Sequence, residues 1–155
     1  MIRHISIPAT NPRHVASVLA ELLNGRTIPF PGHAGSYLAL ACDEGGTMIE
    51  VYPIGTELTP GDGDAQVEFQ ENRIYTQFHA THAALDISTS EEKIKEVANR
   101  EGWRVLRCNR GPFEVIELWL ENHLLLELLT PEIAPGYIQF MQPQNLEQMF
   151  AGVEA

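Results

Sequence analysis

The chain has 155 residues, of which 44% are hydrophobic and 20% charged, and it carries a formal net charge of −11. That length supports one sizeable core and is short for two ordinary domains, so a single compact domain is expected. The composition excludes a disordered chain, no apolar run approaches the roughly 20 residues of a membrane span, and the acidic balance argues against a nucleic-acid partner.

Arg3 to Pro8 reads as a short strand, with Ile5 and Ile7 on one face and His4 and Ser6 on the other. A helix follows, capped by Asn11, with Pro12 at its first position and a stripe of Val15, Val18, Leu19, Leu22 and Leu23. Gly25 is read as its stop. Tyr37 to Cys42 and Thr47 to Tyr52 flank the turn-prone Asp43-Glu44-Gly45-Gly46, the pattern of a hairpin. From residue 59 to about residue 77 the periodicity dissolves, and this stretch is read as a linker. Its Asp62-Gly63-Asp64 lacks the rest of a calcium-loop signature and reads as a solvated turn.

The order then repeats. A strand from Thr81 to Ile87 precedes a helix with caps in Ser88 to Ser90, a capping-box spacing at Thr89 and Glu92, an inner stripe of Ile94, Val97 and Ala98, and a stop at Gly102. Strands follow at Trp103 to Cys108, Phe113 to Leu120 and Leu124 to Leu129, with turns at Gly111-Pro112 and Glu121-Asn122-His123. The tail from Pro143 to Val153 carries Leu146, Met149 and Phe150 at helical spacing. The modules thus run from about 1 to 58 and about 78 to 132, and the tail helix covers about 143 to 153.

The strand containing Glu127 poses a chemical question. Leu124-Leu125-Leu126-Glu127-Leu128-Leu129 is apolar at both parities, as in a strand buried on both faces. An unpaired carboxylate there costs several kcal/mol, so Glu127 must hold a proton, meet a cation or bind a metal. His4, Glu50 and His82 lie in other strand-like segments, and with Glu127 they form a two-histidine, two-carboxylate set suited to one divalent metal. Parity supports the set: Ile5 and Ile7 lie opposite His4, Ile49 and Val51 opposite Glu50, and Ala83, Leu85 and Ile87 opposite His82. His79, of opposite parity, replaces His82 if the strand contains a bulge.

The other polar residues read more plainly. His14, His33 and His123 are assigned to helix surface, loop and turn, and Tyr52 and Trp119 to the core. Arg104, Arg107 and Arg110 read as a solvated edge rather than an anion site. Cys42 and Cys108 are isolated, so no structural disulfide is expected. The N-terminus lacks the basic and apolar regions of a secretion signal, and a cytoplasmic location is the expectation.

Two strand-helix-strand-strand-strand units, with a histidine in the first strand and a glutamate in the last of each, resemble the vicinal oxygen chelate superfamily of glyoxalases, bleomycin- and fosfomycin-resistance proteins and extradiol dioxygenases. The resemblance runs from Ile2 to about Pro131 and implies an α+β fold, two tandem βαβββ modules forming a U-shaped mixed sheet around a central cavity. By position His4, Glu50, His82 and Glu127 match the metal-ligand places, a pattern most like bacterial glyoxalase I. No basic residues suited to the carboxylates of glutathione are evident.

The resemblance further implies a metal-dependent lyase or isomerase acting on a small oxygenated compound, with Glu127 or Glu50 moving a proton. Four protein ligands suit nickel, cobalt, zinc or manganese, with iron less favoured. An extradiol-type dioxygenase is the alternative if Glu50 does not ligate. A metal-free, bleomycin-resistance-like binding protein is the other. A small-molecule substrate and a homodimer are the expected partners, with no nucleic acid and no membrane.

Overall fold

The computed structural model describes residues 2–76, 78 and 80–150, without the side chains of 147–150. By internal contacts the chain divides into two units, Met1–His79 and Ala80–Ala155.

In the first unit, strand β1 (His4–Ala9) leads through Asn11 and Pro12 into helix α1 (Pro12–Leu22). Asn11 Oδ1 accepts the His14 backbone N–H at 3.2 Å, so the predicted cap forms. Helix α1 buries Val15, Val18, Leu19 and Leu22 and packs on β2 (Arg26–Pro29), β3 (Tyr37–Leu40) and β4 (Met48–Pro53). Ile49 and Val51, at 1% and 0% exposure, form the centre of the strand layer. The sheet order is β1-β4-β3-β2, with β1 parallel to β4 and the other pairs antiparallel.

The end of α1 corrects the sequence reading. The left-handed residue is Asn24 (φ 53°), not Gly25. Asn24 donates to Glu21 O at 3.2 Å and Gly25 to Ala20 O at 2.8 Å, the paired bonds of a Schellman closure. Gly25 is required for another reason: a Cβ there would be driven into the backbone carbonyl of Leu40 on β3. Strand β2 had no alternating signal in the sequence. The hairpin β3–β4 forms in the register Leu40↔Met48, and Asp43 accepts the Thr47 N–H at 2.9 Å across its turn.

The stretch read as a linker is partly ordered. Strands β5 (Thr56–Thr59) and β6 (Glu68–Glu71) pair as an antiparallel ribbon. Ribbon side chains such as Leu58 and Phe69 remain exposed. A strand exposed on both faces needs no hydrophobic alternation, which is why the sequence shows no periodicity there.

The second unit repeats the topology of the first. Strand β7 (Ala83–Asp86), helix α2 (Glu91–Glu101), β8 (Val105–Asn109), β9 (Glu114–Leu120) and β10 (Leu124–Leu129) give a sheet of order β7-β10-β9-β8, again with the first pair parallel. The cap of α2 is Ser90, whose Oγ accepts Lys93 N–H at 3.3 Å, so the cap lies one residue beyond Thr89 and the expected Thr89–Glu92 box is not the capping pair. Gly102 (φ 70°) closes the helix as expected. The three-residue β9–β10 turn, Glu121-Asn122-His123, places Glu121 and Asn122 at φ 49° and 59°, both left-handed. Beyond the module lie α3 (Ala134–Phe140), which the sequence did not reveal, and α4 (Pro143–Phe150). The expected stripe at Met149 and Phe150 lies outside the described side chains, as does Val153.

Candidate functional site

Each module presents one histidine and one glutamate, and the strand pairing sets where they fall. In the first, the parallel pairing of β1 with β4 puts Ser6 opposite Glu50, so His4 sits two residues upstream on the same face. In the second, the parallel pairing of β7 with β10 puts Ala84 opposite Glu127, and His82, one residue before β7, again stands two positions upstream. The same register occurs twice.

Glu50 is 9% exposed, and its carboxylate is satisfied by hydroxyls. Ser6 Oγ donates to Oε2 at 2.7 Å and Tyr52 OH donates to the same oxygen at 3.1 Å. The other oxygen, Oε1, lies 3.9 Å from His4 Nε2. Tyr52 is not simple core filling. Burial, then the Glu50 charge and hydrogen bond, push its phenol up to about 12. Its ring lies 5.8 Å from Phe30 and 5.7 Å from Phe69, and 5.4 Å from His33, measured between centroids. His33, read as a surface residue, therefore belongs to an aromatic cluster, with Nδ1 2.8 Å from the Oγ of buried Ser36.

A phenol pKa raised by folding stabilises the native state below its ordinary value near 10.0, and that stabilisation is lost as pH rises through about 12. Phenolate absorbance should thus show one of the four tyrosines titrating late. Tyr52→Phe should remove that phase and cost about 1.5–3 kcal/mol at neutral pH. Four tyrosines ionising together near 10 would contradict the Tyr52–Glu50 bond.

In the second module His82 Nδ1 lies 3.1 Å from the Ala80 carbonyl oxygen. A carbonyl can only accept, so in the neutral imidazole Nδ1 carries the proton and the Nε2 lone pair is left to ligate. His79 lies outside the described residues. Glu127, with its side chain 13% exposed, meets a cation: Arg110 Nη2 lies 2.7 Å from Oε1. Leu126 and Leu128 are buried on one face, whereas Leu125 and Glu127 are only half-buried. The strand is thus less enclosed than its sequence suggests.

Arg110 is shared. Glu127 stands directly opposite Glu117 in the β9–β10 pairing, and the same guanidinium nitrogen lies 2.6 Å from Glu117 Oε1. Like charges facing across a strand pair destabilise it, and one cation between them reverses the sign. Burial pushes the Glu117 carboxyl up, but Arg110, Trp119 Nε1 and Cys108 together hold it below the ordinary range. Arg107 likewise joins Glu91 at 2.8 Å and Glu114 at 2.6 Å. Two of the three arginines read as a solvated edge are therefore ion-paired, and the predicted question of what neutralises Glu127 has a protein answer in Arg110.

Among the described residues no group of three or more His, Cys, Asp or Glu side chains is placed to hold a metal ion. Each module supplies two donors of the right chemistry. The first module also has a cleft of ≈ 420 Å³ lined by His33, Pro53, Ile54, Arg73 and Tyr75 among others. Ser6, Tyr52 and Arg110 were not singled out as partners by sequence reasoning. The hydroxyl of Tyr52 two residues after Glu50 was the available signal, since alternation puts them on one face. Cys42 and Cys108 are free thiols. No described helix is long and apolar enough to cross a membrane.

No protein-family model matches the chain, and no curated protein does. Solved structures are similar in fold. A fosfomycin resistance protein, FosX from Listeria monocytogenes, is 15% identical over 84% of this chain and 92% of its own, with a TM-score of 0.53. A glyoxalase family protein from Bacillus anthracis is 13% identical over 83% and 92%, with a TM-score of 0.51. A point mutant of the Listeria protein, complexed with Mn(II) and 1S,2S-dihydroxypropylphosphonic acid, is 17% identical over 83% of this chain and 87% of its own, with a TM-score of 0.52. With two consecutive βαβββ modules of identical strand order, the chain shares the α+β fold of these solved structures.

Proposed function

We propose that the chain is a divalent-metal-dependent enzyme of glyoxalase type, a lyase or isomerase that moves a proton on a small oxygenated compound, with His4, Glu50, His82 and Glu127 as ligands. The observation that carries this reading is the repeated register: in both modules a histidine stands two positions upstream of the residue facing a glutamate. The donor set suits nickel, cobalt, zinc or manganese, and the Mn(II) complex of the similar Listeria protein supports a divalent metal. Such an ion, when bound, polarises adjacent substrate oxygens.

The residues have separable tasks. Ser6 and Tyr52 both hold Oε2 of Glu50, which turns Oε1 toward His4 and fixes the carboxylate's orientation. The Ala80 carbonyl holds the His82 tautomer. Glu127, whose Oε1 is held by Arg110, keeps Oε2 for a ligand or a substrate proton. Of the two carboxylates, Glu127 or Glu50 accepts and returns the proton. The reading includes a homodimer as the assembly.

One observation favours a second reading. Both glutamates already have partners, Glu50 in two hydroxyls and Glu127 in Arg110, as a metal-free binding protein of bleomycin-resistance type would require. Metal content decides between them. Protein purified after growth in mixed divalent metals should carry about one ion per chain, and Glu127→Gln and His82→Ala should each lower occupancy at least ten-fold. A chelator should lower the melting temperature of the parent alone. Unchanged stoichiometry in both variants, or a parent indifferent to chelator, would leave the second reading standing.

A further inference from the structure

Glu117 and Glu127 face one another across β9 and β10, with side chains only 15% and 13% exposed. Two facing carboxylates so poorly hydrated need a positive charge between them. Arg110, just beyond the end of β8, supplies it through a single nitrogen that reaches both, at 2.6 and 2.7 Å. Its reach is set locally: Arg110 N–H donates to Phe113 O at 2.8 Å across the β8–β9 turn, and Gly111 takes the left-handed φ of 90° that the turn demands. The guanidinium is thus placed on the carboxylates by the hairpin itself.

We infer that Arg110 is a built-in counter-cation that competes with the divalent ion for Glu127, setting how tightly the site loads. The inference rests on the metal reading above. With Arg110 engaged, a metal approaching Glu127 meets a positive charge on the same carboxylate, and that repulsion weakens its binding. Glu117, which stands directly opposite Glu127 and also receives Trp119 Nε1 at 3.3 Å, would keep the guanidinium paired if an ion took Glu127. Glu117 then has a function of its own as the parking partner that lets Arg110 leave Glu127 without becoming unpaired. The charges predict two effects of opposite sign. Removing Arg110 leaves two uncompensated carboxylates and strengthens the attraction for a cation. Removing the Glu117 charge leaves Arg110 wholly on Glu127 and weakens it.

The test is a calorimetric titration of chelator-treated protein with Mn(II), for the parent, Arg110→Met, Arg110→Lys and Glu117→Gln. The melting temperature of each is recorded without metal. Arg110→Met should melt lower without metal and bind Mn(II) roughly ten-fold more tightly, and Glu117→Gln should bind it several-fold more weakly. Arg110→Lys keeps the charge but loses the forked geometry, and it should fall between Arg110→Met and the parent. If Arg110→Met fails to fold, the Arg110→Lys and Glu117→Gln titrations still decide the matter. Parent protein that binds Mn(II), with none of the three substitutions shifting affinity in the stated direction, overturns this inference and leaves the metal reading intact. No binding by any variant removes both.

Discussion

Gly25→Ala should abolish or nearly abolish stable folding of the first module, a loss of at least about 3 kcal/mol. The left-handed position of the α1 closure belongs to Asn24, so the usual reason for a glycine does not apply. What matters is contact: α1 is drawn so close to β3 that an added Cβ would strike the Leu40 carbonyl carbon and oxygen and approach Ala41 Cα. These are backbone atoms, and Leu40 is register-paired to both Arg26 and Met48, so they cannot rotate aside as a side chain would. Relief requires moving the helix off the sheet that buries Leu19 and Leu22. Gly46→Ala is the control. Gly46 has φ 66°, but a Cβ there meets nothing within 4 Å, so the cost is backbone strain of about 1 kcal/mol. Urea unfolding of both variants tests the contrast. A Gly25→Ala midpoint equal to that of Gly46→Ala would show that the helix lies further from β3 than described.

What the sequence disclosed was what its neighbours in the chain decide. Asn11-Pro12, Gly102 and Asp43-Glu44-Gly45-Gly46 work within one turn, and the alternation of Ile49 and Val51 with Glu50 identifies a strand by itself. The Thr89–Glu92 box failed by one residue because Ser90 has the same capping chemistry and either can serve. Strands β5 and β6 stayed hidden because most of their side chains are exposed on both faces. Helix α3 stayed hidden because Pro135 and Gly136 lower its propensity and it buries no residue. At the site, residue types were legible but partners were not. Ser6 meets Glu50 across 44 positions and Arg110 meets Glu127 across 17, and both contacts follow from register, which no local pattern encodes. Glu127 shows the difference sharply: its need for a cation follows from burial alone, but the identity of that cation depends on a hairpin.

The same strand offers the second large effect. Leu126→Ala should cost about 2–5 kcal/mol, because Leu126 is 0% exposed and sits on the interior strand of its sheet, between Ala83 of β7 and Leu118 of β9. The neighbouring Leu125→Ala should cost only about 1 kcal/mol. Leu125 is half-buried and shares its face with Glu127 rather than with the core. By composition the two leucines are indistinguishable, since both lie in an apolar run with the same flanks. The face each occupies is what separates them, and it is also what puts Glu127 within reach of Arg110. Loosening β10 at Leu126 should therefore disturb the Glu127–Arg110 pair as well as the core, so that exchange protection falls at Glu127 and Leu128 before it falls in α2. Urea midpoints at unchanged slope give the two costs, and hydrogen exchange gives their location. Equal losses for Leu125→Ala and Leu126→Ala would mean that β10 is covered on both sides. Glu127 would then lie in a fully enclosed strand, and an exposed edge for ligand or metal to enter would not exist on that face.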